Sequence, residues 1–435
     1  MKRILLIYVL AGVFTVIPAL SACDFQLPTT ELGPDPLPDI NNAPPESASP
    51  DSAFPESTLP EMRVHPFSLR TEATSWLSAL KNTPNFRNTS GTYNLEQLGG
   101  GGRVQDLSRH LNLQLTSILA ALRVSGDQDL LEKVYGVMQR ERATLRDTNG
   151  DGYLNWRYLP ARPTENPELH GTDKHVMEEI MAHSIVAQAA YAFKLNSTLD
   201  SKYGEAASFW TDYLINHYEA KWRERTGRRS GYPIIEKPLF HPYVNNARYF
   251  HYMYKLTGNL AYRNERDRQV GVIKRQLLPD NGAFVWTHAV NEFIHSRGGK
   301  MRWRYQPVGY AGEAMAPLAD LGLEGVLDEN TMRGLAKTLS ATLLDDESES
   351  QIMASDVGGS RAASYFIPFL NEYMTLEPLD YPRGQIGTFT SRGFALLAPW
   401  DSTGEIAQKA ASYHYATGGW PNAPAGVMLA HGFYP

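Results

Sequence analysis

Residues able to move a proton or hold a carboxylate gather in two stretches of the chain. The first is His241-Pro-Tyr-Val-Asn-Asn-Ala-Arg-Tyr-Phe-His-Tyr252. Wound as a helix from about Pro242, it places His241, Asn245, Tyr249 and Tyr252 on one stripe, with Asn246 beside it, and Phe250, Met253 and Leu256 on another. A polar-aromatic stripe opposite an apolar one suits the wall of a wet cleft. The same pattern also fits a capped helix whose polar groups are hydrogen-bonded inside a core. The second stretch is Met301-Arg-Trp-Arg-Tyr-Gln-Pro-Val-Gly-Tyr310, followed by a helix carrying Glu313. Arg302 and Arg304 could grip a carboxylate through the planar guanidinium fork, and Trp303 and Tyr305 offer apolar platforms to a sugar ring. The plainer reading is aromatic packing with arginine stems lying along it.

Three further patterns carry weaker chemistry. His175, Glu179 and His183 recur every four residues on one helix face. They lack the His-Glu-x-x-His spacing and any cysteine partner, so cleft lining or core packing suits them better than a metal. Asp147, Asn149 and Asp151 alternate as in a calcium loop, but the twelfth position is Tyr158, where a bidentate Glu is expected. A structural calcium and a metal-free Gly/Asn turn both fit, and no other cofactor is implied. The basic run Lys221, Arg223, Arg225, Arg228 and Arg229 reads as a solvated helix end, and nucleic acid is not an expected partner.

The elements that must position these residues are helices. Apolar residues recur at helical spacing over Leu107–Arg123, Val176–Leu195, Phe209–Trp222, Val244–Leu256, Ala311–Leu321 and Leu335–Leu344. The links between helices resemble one another. Ser125-Gly-Asp127 precedes a helix with Leu130, Leu131 and Val134, Thr257-Gly-Asn259 one with Tyr262 and Val270, and Asn196-Ser-Thr198 one with Tyr203 and Phe209. Each link reads as a helix stop followed by a polar cap for the next helix. The repetition is architectural rather than a strict sequence repeat, and it predicts an all-α (α/α) toroid of about six or seven helical hairpins, with an irregular helical solenoid as the alternative. In a toroid the N-terminal ends of the inner helices and the loops before them form the active face and favour anions.

The N-terminal part reads differently. Lys2 and Arg3 precede an apolar run from Ile4 to Leu20, and Leu20-Ser-Ala-Cys23 resembles the lipobox of bacterial lipoproteins. Residues 1–22 are therefore expected to be a signal peptide and Cys23 the lipidated residue, anchoring the chain in the cell envelope, facing periplasm or cell surface. Cys23 is also the only cysteine of the 435 residues, so no intrachain disulfide forms. Residues 23–62 form an expected disordered tether, with nine prolines and eight acidic residues but no Lys or Arg. The chain carries a net charge of −6. With the tether and the signal segment set aside, the expected toroid domain at 63–435 is neutral and presents no net barrier to an anionic ligand.

The helical pattern of residues 66–435 resembles the toroidal polysaccharide lyases that cleave alginate or glucuronan. Asn245-Asn246 in an aromatic-rich helix is similar to their Asn-Asn-His-Tyr motif, with Ala247 here in place of the histidine, and Arg304 six residues before Tyr310 is similar to their Arg–Tyr pair. The resemblance implies β-elimination on an anionic polysaccharide or oligosaccharide. Asn245 or Asn246, together with Arg304, would neutralise the uronate carboxylate. Tyr310 would serve as acid, with base as a second candidate role, and His241 as base or second proton carrier, His241 or His251 standing in for the histidine that Ala247 replaces. Trp303, Arg302, Tyr305, Tyr249, Tyr252, His183 and Glu179 would line the substrate cleft. Two other classes stay open: an (α/α) glycoside hydrolase using a carboxylate pair drawn from Glu179, Glu313 and Asp356, and a non-catalytic glycan-binding lipoprotein.

The lipobox makes a direct prediction. Cys23→Ser leaves the chain unlipidated and free of membranes. Fractionation and labelled-lipid incorporation check it, and an unchanged membrane pool would refute it.

Overall fold

The computed structural model describes residues 61–64, 71–82, 104, 107–148, 150–156, 176–225, 239–290, 304–344, 353–359, 361–367, 371–378, 382–414 and 420–432. All of them belong to one compact unit, Ser52–Leu159 with Glu168–Pro435. Cys23, Asn149, His175, Arg302 and Trp303 lie outside the described residues.

The described chain is mostly helical, as the periodicity predicts. Its helices are α1 (Thr71–Asn82), α2 (Asn112–Ser125), α3 (Gln128–Thr144), α4 (Val176–Leu195), α5 (Ser201–Tyr213), α6 (Ala220–Arg225) and α7 (Phe240–Thr257). They continue with α8 (Leu260–Gln276), α9 (Val308–Leu323), α10 (Glu329–Thr338), α11 (Ile386–Ser391), α12 (Glu405–Tyr413) and α13 (Asn422–Gly432). A 3-10 segment, Gly393–Trp400, lies between α11 and α12, and the π-wound turn Leu214–Glu219 joins α5 to α6. Two short antiparallel hairpins interrupt the helices, β1 (Leu278–Asp280) with β2 (Ala283–Val285) and β3 (Ala363–Ile367) with β4 (Glu372–Leu376).

Burial divides the helices into two kinds. α2 is buried along its whole length, and α7 from Phe240 to Met253. α4 is buried from Glu179 through Phe193. By contrast α3 buries one stripe (Leu130, Leu131, Val134, Val137, Met138), and α5 another (Tyr203, Ala206, Trp210, Tyr213). A helix buried all round needs small or apolar residues on every face, which the alanines of α4 and α9 supply. The buried elements touch in sequence: α2 packs on α4, α4 on α7, α7 on α9, α9 on the 3-10 segment, that segment on α13, and α13 back on α2. The striped helices follow their buried partners, α3 against α2, α5 against α4 and α8 against α7.

Local chemistry explains the hairpin links. α2 ends at Gly126, whose φ of 59° lets its N–H reach the Leu122 carbonyl at 2.8 Å. The Asp127 side chain then accepts from the Asp129 N–H to start α3. Gly258 (φ 70°) and Asn259 repeat the device between α7 and α8, and Asp200 caps α5.

The domain begins slightly earlier than composition suggests. Met62, placed at the end of the expected tether, is fully buried, and its carbonyl accepts from Asn196 Nδ2 at 2.7 Å. The Val64 N–H donates to Asn196 Oδ1 at 2.7 Å, so this short stretch docks on the end of α4.

Backbones approach closely where the 3-10 segment is sandwiched. A Cβ on Gly426 of α13 would collide with the Ala395 carbonyl, and one on Gly393 with the Ala316 backbone of α9. Gly426→Ala is expected to cost about 1–3 kcal/mol or more, because backbone cannot rotate out of the way as a side chain can. Gly387→Ala in α11, where a Cβ meets nothing within 4 Å, is the control. Thermal melts should show a clear fall for the first and none for the second.

Candidate active site

The starts of α7 and α9 are brought together by a small ladder of extended backbone. Leu239 bridges Ala289, and Thr287 bridges Tyr305. The Phe240 N–H donates to the His288 carbonyl at 3.0 Å, and the His288 N–H to the Arg304 carbonyl at 2.9 Å. This pairing sets three rings side by side at two helix starts: His241 from α7, Tyr310 from α9, and His288 from the segment after β2. The His241 and Tyr310 rings stack with centroids 4.7 Å apart and an interplanar angle of 29°. His288 lies 5.1 Å from Tyr310 and 5.8 Å from His241 by ring centroids. His241 and His288 are buried, whereas Tyr310 is half-buried and so is the member of the group that meets solvent.

Polar neighbours orient His241. The indole N–H of Trp286 only donates, so Gln306 Oε1 must accept from it, at 2.5 Å. That assigns the amide N–H₂ of Gln306 to His241 Nδ1, 3.5 Å away. A neutral His241 then carries its proton on Nε2, which faces Glu313 Oε2 at 3.8 Å. The other Glu313 oxygen accepts from Arg392. Burial pushes His288 down to about 4, so this ring is neutral near pH 7, and its Nδ1 has no hydrogen-bond partner among the described residues.

Most of the remaining predicted residues are engaged elsewhere. Asn245 is fully buried. Its Nδ2 donates to the His241 carbonyl at 2.9 Å, and its Oδ1 accepts from Asn112, Ser184 and Arg248, each at 3.0 Å. Asn246 keeps its amide nitrogen without a partner among the described residues. Arg304 does not sit on Tyr310: its guanidinium pairs with Glu377 at 2.9 Å and donates to the Pro378 carbonyl at 2.8 Å. Arg304 lies in extended backbone bridging Glu377, and the chain turns at Pro307 into α9, so six residues of spacing do not bring the two side chains together.

The polar stripe of α7 points into the protein. The Tyr249 hydroxyl donates to Glu219 at 2.7 Å and that of Tyr252 to Asp320 at 2.8 Å. Burial, and then these carboxylates, push both phenols well above the usual tyrosine range. Tyr305 is also buried, with its hydroxyl 3.3 Å from that of Tyr365. Glu179 and His183 lie in the core. Glu179 accepts from Lys221 and Trp222, each at 2.7 Å, while His183 stacks on Tyr218 at 3.8 Å and contacts the Tyr213 hydroxyl at 3.0 Å. Burial pushes His183 down to about 3.

Asp147 and Asp151 hold their turn together through backbone N–H groups. Asp147 accepts from Asp151 and Gly152 at 3.1 and 3.0 Å, and Asp151 from Tyr153 at 3.2 Å. Among the described residues no group of three or more His, Cys, Asp or Glu side chains is placed to hold a metal.

His241 and Tyr310 stand out in the sequence by type and position, whereas His288, Gln306 and Arg392 do not. No local pattern marks these three, because each joins the site through long-range pairing. The chain matches no family model, no curated protein and no solved structure.

The buried neutral His288 makes stability acid-sensitive. Its folded value near 4 lies below the unfolded 6.5, so its contribution is fully present above pH 6.5 and is lost as pH falls towards 4. His288→Gln should remove up to about 3 kcal/mol of that loss. Unfolding free energies of both proteins measured from pH 7.5 to 4 check this, and parallel curves would refute it.

Proposed function

We propose that this chain is a lipid-anchored polysaccharide lyase, built as an (α/α) toroid, that cleaves a uronate polymer such as alginate or glucuronan by β-elimination. The observation that carries the reading is the stacked His241–Tyr310 pair at the starts of two buried helices, with the tyrosine facing solvent. The closed order of contacts from α2 round to α13 and back supports the toroid. The lipobox at Cys23 supports the anchor, and no described helix is long and apolar enough to cross a membrane.

In β-elimination the C5–H bond breaks, a C4=C5 double bond forms, and the bond from C4 to the glycosidic oxygen breaks. A base takes the C5 proton, and the departing oxygen needs one in return. Tyr310 is the group that can reach a sugar. An ordinary phenol ionises near 10, so its phenolate needs stabilising, and Tyr310 sits in the first turn of the 16-residue α9, where the helix dipole favours negative charge. His241 beneath it is the second proton carrier, its ring set by Gln306 and Glu313. The amide nitrogen of Asn246, without a partner among the described residues, is the proposed helper for the developing charge on the substrate.

The hydrolase reading has less support. Lys221 holds the Glu179 carboxylate below its usual range even against burial, Glu313 is paired with Arg392, and Asp356 accepts from the Gly358 N–H at 2.9 Å within its own turn. None of these three is set as a solvent-facing acid.

The test is ultraviolet absorbance of the unsaturated uronate on alginate and glucuronan. Tyr310→Phe keeps the ring, so its melting temperature should stay unchanged while turnover falls by about a hundred- to ten-thousandfold. New reducing ends without absorbance would mean a hydrolase, neither signal would mean a binding protein, and wild-type turnover in Tyr310→Phe would remove the tyrosine from the mechanism.

A further inference from the structure

Resting on that reading, we propose that Arg392, not Arg304, binds the substrate carboxylate, and that the site therefore takes free uronates in preference to their methyl esters. Arg392 comes from the turn between α11 and the 3-10 segment. Its stem lies across the first turns of α9 at Gly312, where a Cβ would press on the Arg392 Cβ and on the Phe394 ring. Glycine at 312 is thus what admits the arginine to this end of the helix.

The arginine is held at one end and open at the other. Its Nη1 donates to Glu313 Oε1, and the Glu313 side chain is only 3 % exposed. The Arg392 side chain is 30 % exposed, and its Nε and Nη2 have no partner among the described residues. Those two nitrogens form one edge of the guanidinium, the geometry that takes a carboxylate through two parallel hydrogen bonds. The second Glu313 oxygen lies 3.8 Å from His241 Nε2, so one buried carboxylate links the arginine to the stacked His–Tyr pair. The Arg304 guanidinium, by contrast, is committed to Glu377 and Pro378.

The charges of the cluster agree with this. Glu313 already balances the guanidinium, so Arg392 is stable without substrate, yet Nε and Nη2 still offer donors. A methyl ester carries no charge and has a blocked oxygen, so it forfeits the charge-assisted pair of bonds.

The test is calorimetric binding of oligoglucuronate and oligomannuronate, their methyl esters, and a neutral β-linked glucan oligomer of equal length, to the full chain. Wild type should bind the free acids about tenfold or more tighter than the esters. Arg392→Gln should abolish that preference and leave binding of the neutral oligomer unchanged. Arg392→Lys, which keeps the charge but loses the fork, should restore it in part. Because Arg392→Gln leaves the Glu313 carboxylate without its partner, the double variant Glu313→Gln/Arg392→Gln, which removes both charges, is measured with it, and melting temperatures show that each variant is folded. Arg304→Ala should keep the preference.

A preference retained in folded Arg392→Gln, or lost in Arg304→Ala, overturns this assignment while leaving the lyase reading standing if uronate polymers are still cleaved. Wild type that neither binds nor cleaves any uronate overturns both.

Discussion

A fully buried guanidinium governs the interior. Arg248 is fully buried near the middle of α7. Its Nη1 donates to Thr116 Oγ1 at 2.7 Å, and its Nη2 to Asn112 Oδ1 at 2.5 Å, Ser184 Oγ at 2.7 Å and Asn245 Oδ1 at 3.0 Å. These acceptors are neutral and come from α2, α4 and α7. Burial of the charge pulls Arg248 down to about 10, with Asp320 as the more distant compensating charge. A buried cation solvated by side chains tolerates little displacement of any of them, because each lost bond leaves charge exposed to a medium that cannot stabilise it. The register of three helices is therefore tied to one side chain.

The network continues beyond Arg248 and reaches α9. Gln188 donates to Asp320 at 2.8 Å, Tyr252 donates to the same oxygen at 2.8 Å, and Arg123 pairs with Glu324. Burial holds Asp320 up at about 6, which is why it needs two neutral donors as well as the arginines. The consequence for the site is positional. Asn245 accepts from Arg248 and in turn donates to the His241 carbonyl at 2.9 Å, one turn towards the start of the helix. On α9, Asp320 ties down one end of the helix while Tyr310 and Glu313 occupy the other. Two helices fixed by one buried polar network thus present their N-terminal ends at a set separation, and the His241–Tyr310 stack sits there.

Much of this was legible in the residues themselves, and the divide between what was and what was not is physical. Gly126 with Asp127 and Gly258 with Asn259 predicted the helix links because a left-handed residue and a side-chain cap act within one turn. The polar stripe on α7 was equally visible, but periodicity shows only that a helix has two faces. α4, α8 and α9 all pack on α7, so both faces are covered and Tyr249 and Tyr252 meet Glu219 and Asp320 instead of a ligand. The same holds for Glu179 and His183, whose helical spacing was correct and whose partners Lys221, Trp222 and Tyr213 come from the next helical run.

By itself the sequence determined that the described interior would be helical, where the links at Gly126–Asp127 and Gly258–Asn259 fall, and that His241 and Tyr310 belong to helix starts. The helix bounds shifted, as at Ser201 rather than Phe209 and Glu329 rather than Leu335. What the sequence determined follows from interactions spanning four residues or fewer, which any sufficiently polar or apolar pattern encodes. Only the tertiary structure decided which residues share a site. Arg304 went to Glu377 because its backbone is extended and bridges there, and Arg392 and His288 reached Glu313 and Tyr310 from distant parts of the chain. Such pairings depend on how buried helices satisfy their polar groups against one another. That is settled by the packed whole, since no side chain's own neighbours in sequence contain the partner that completes it.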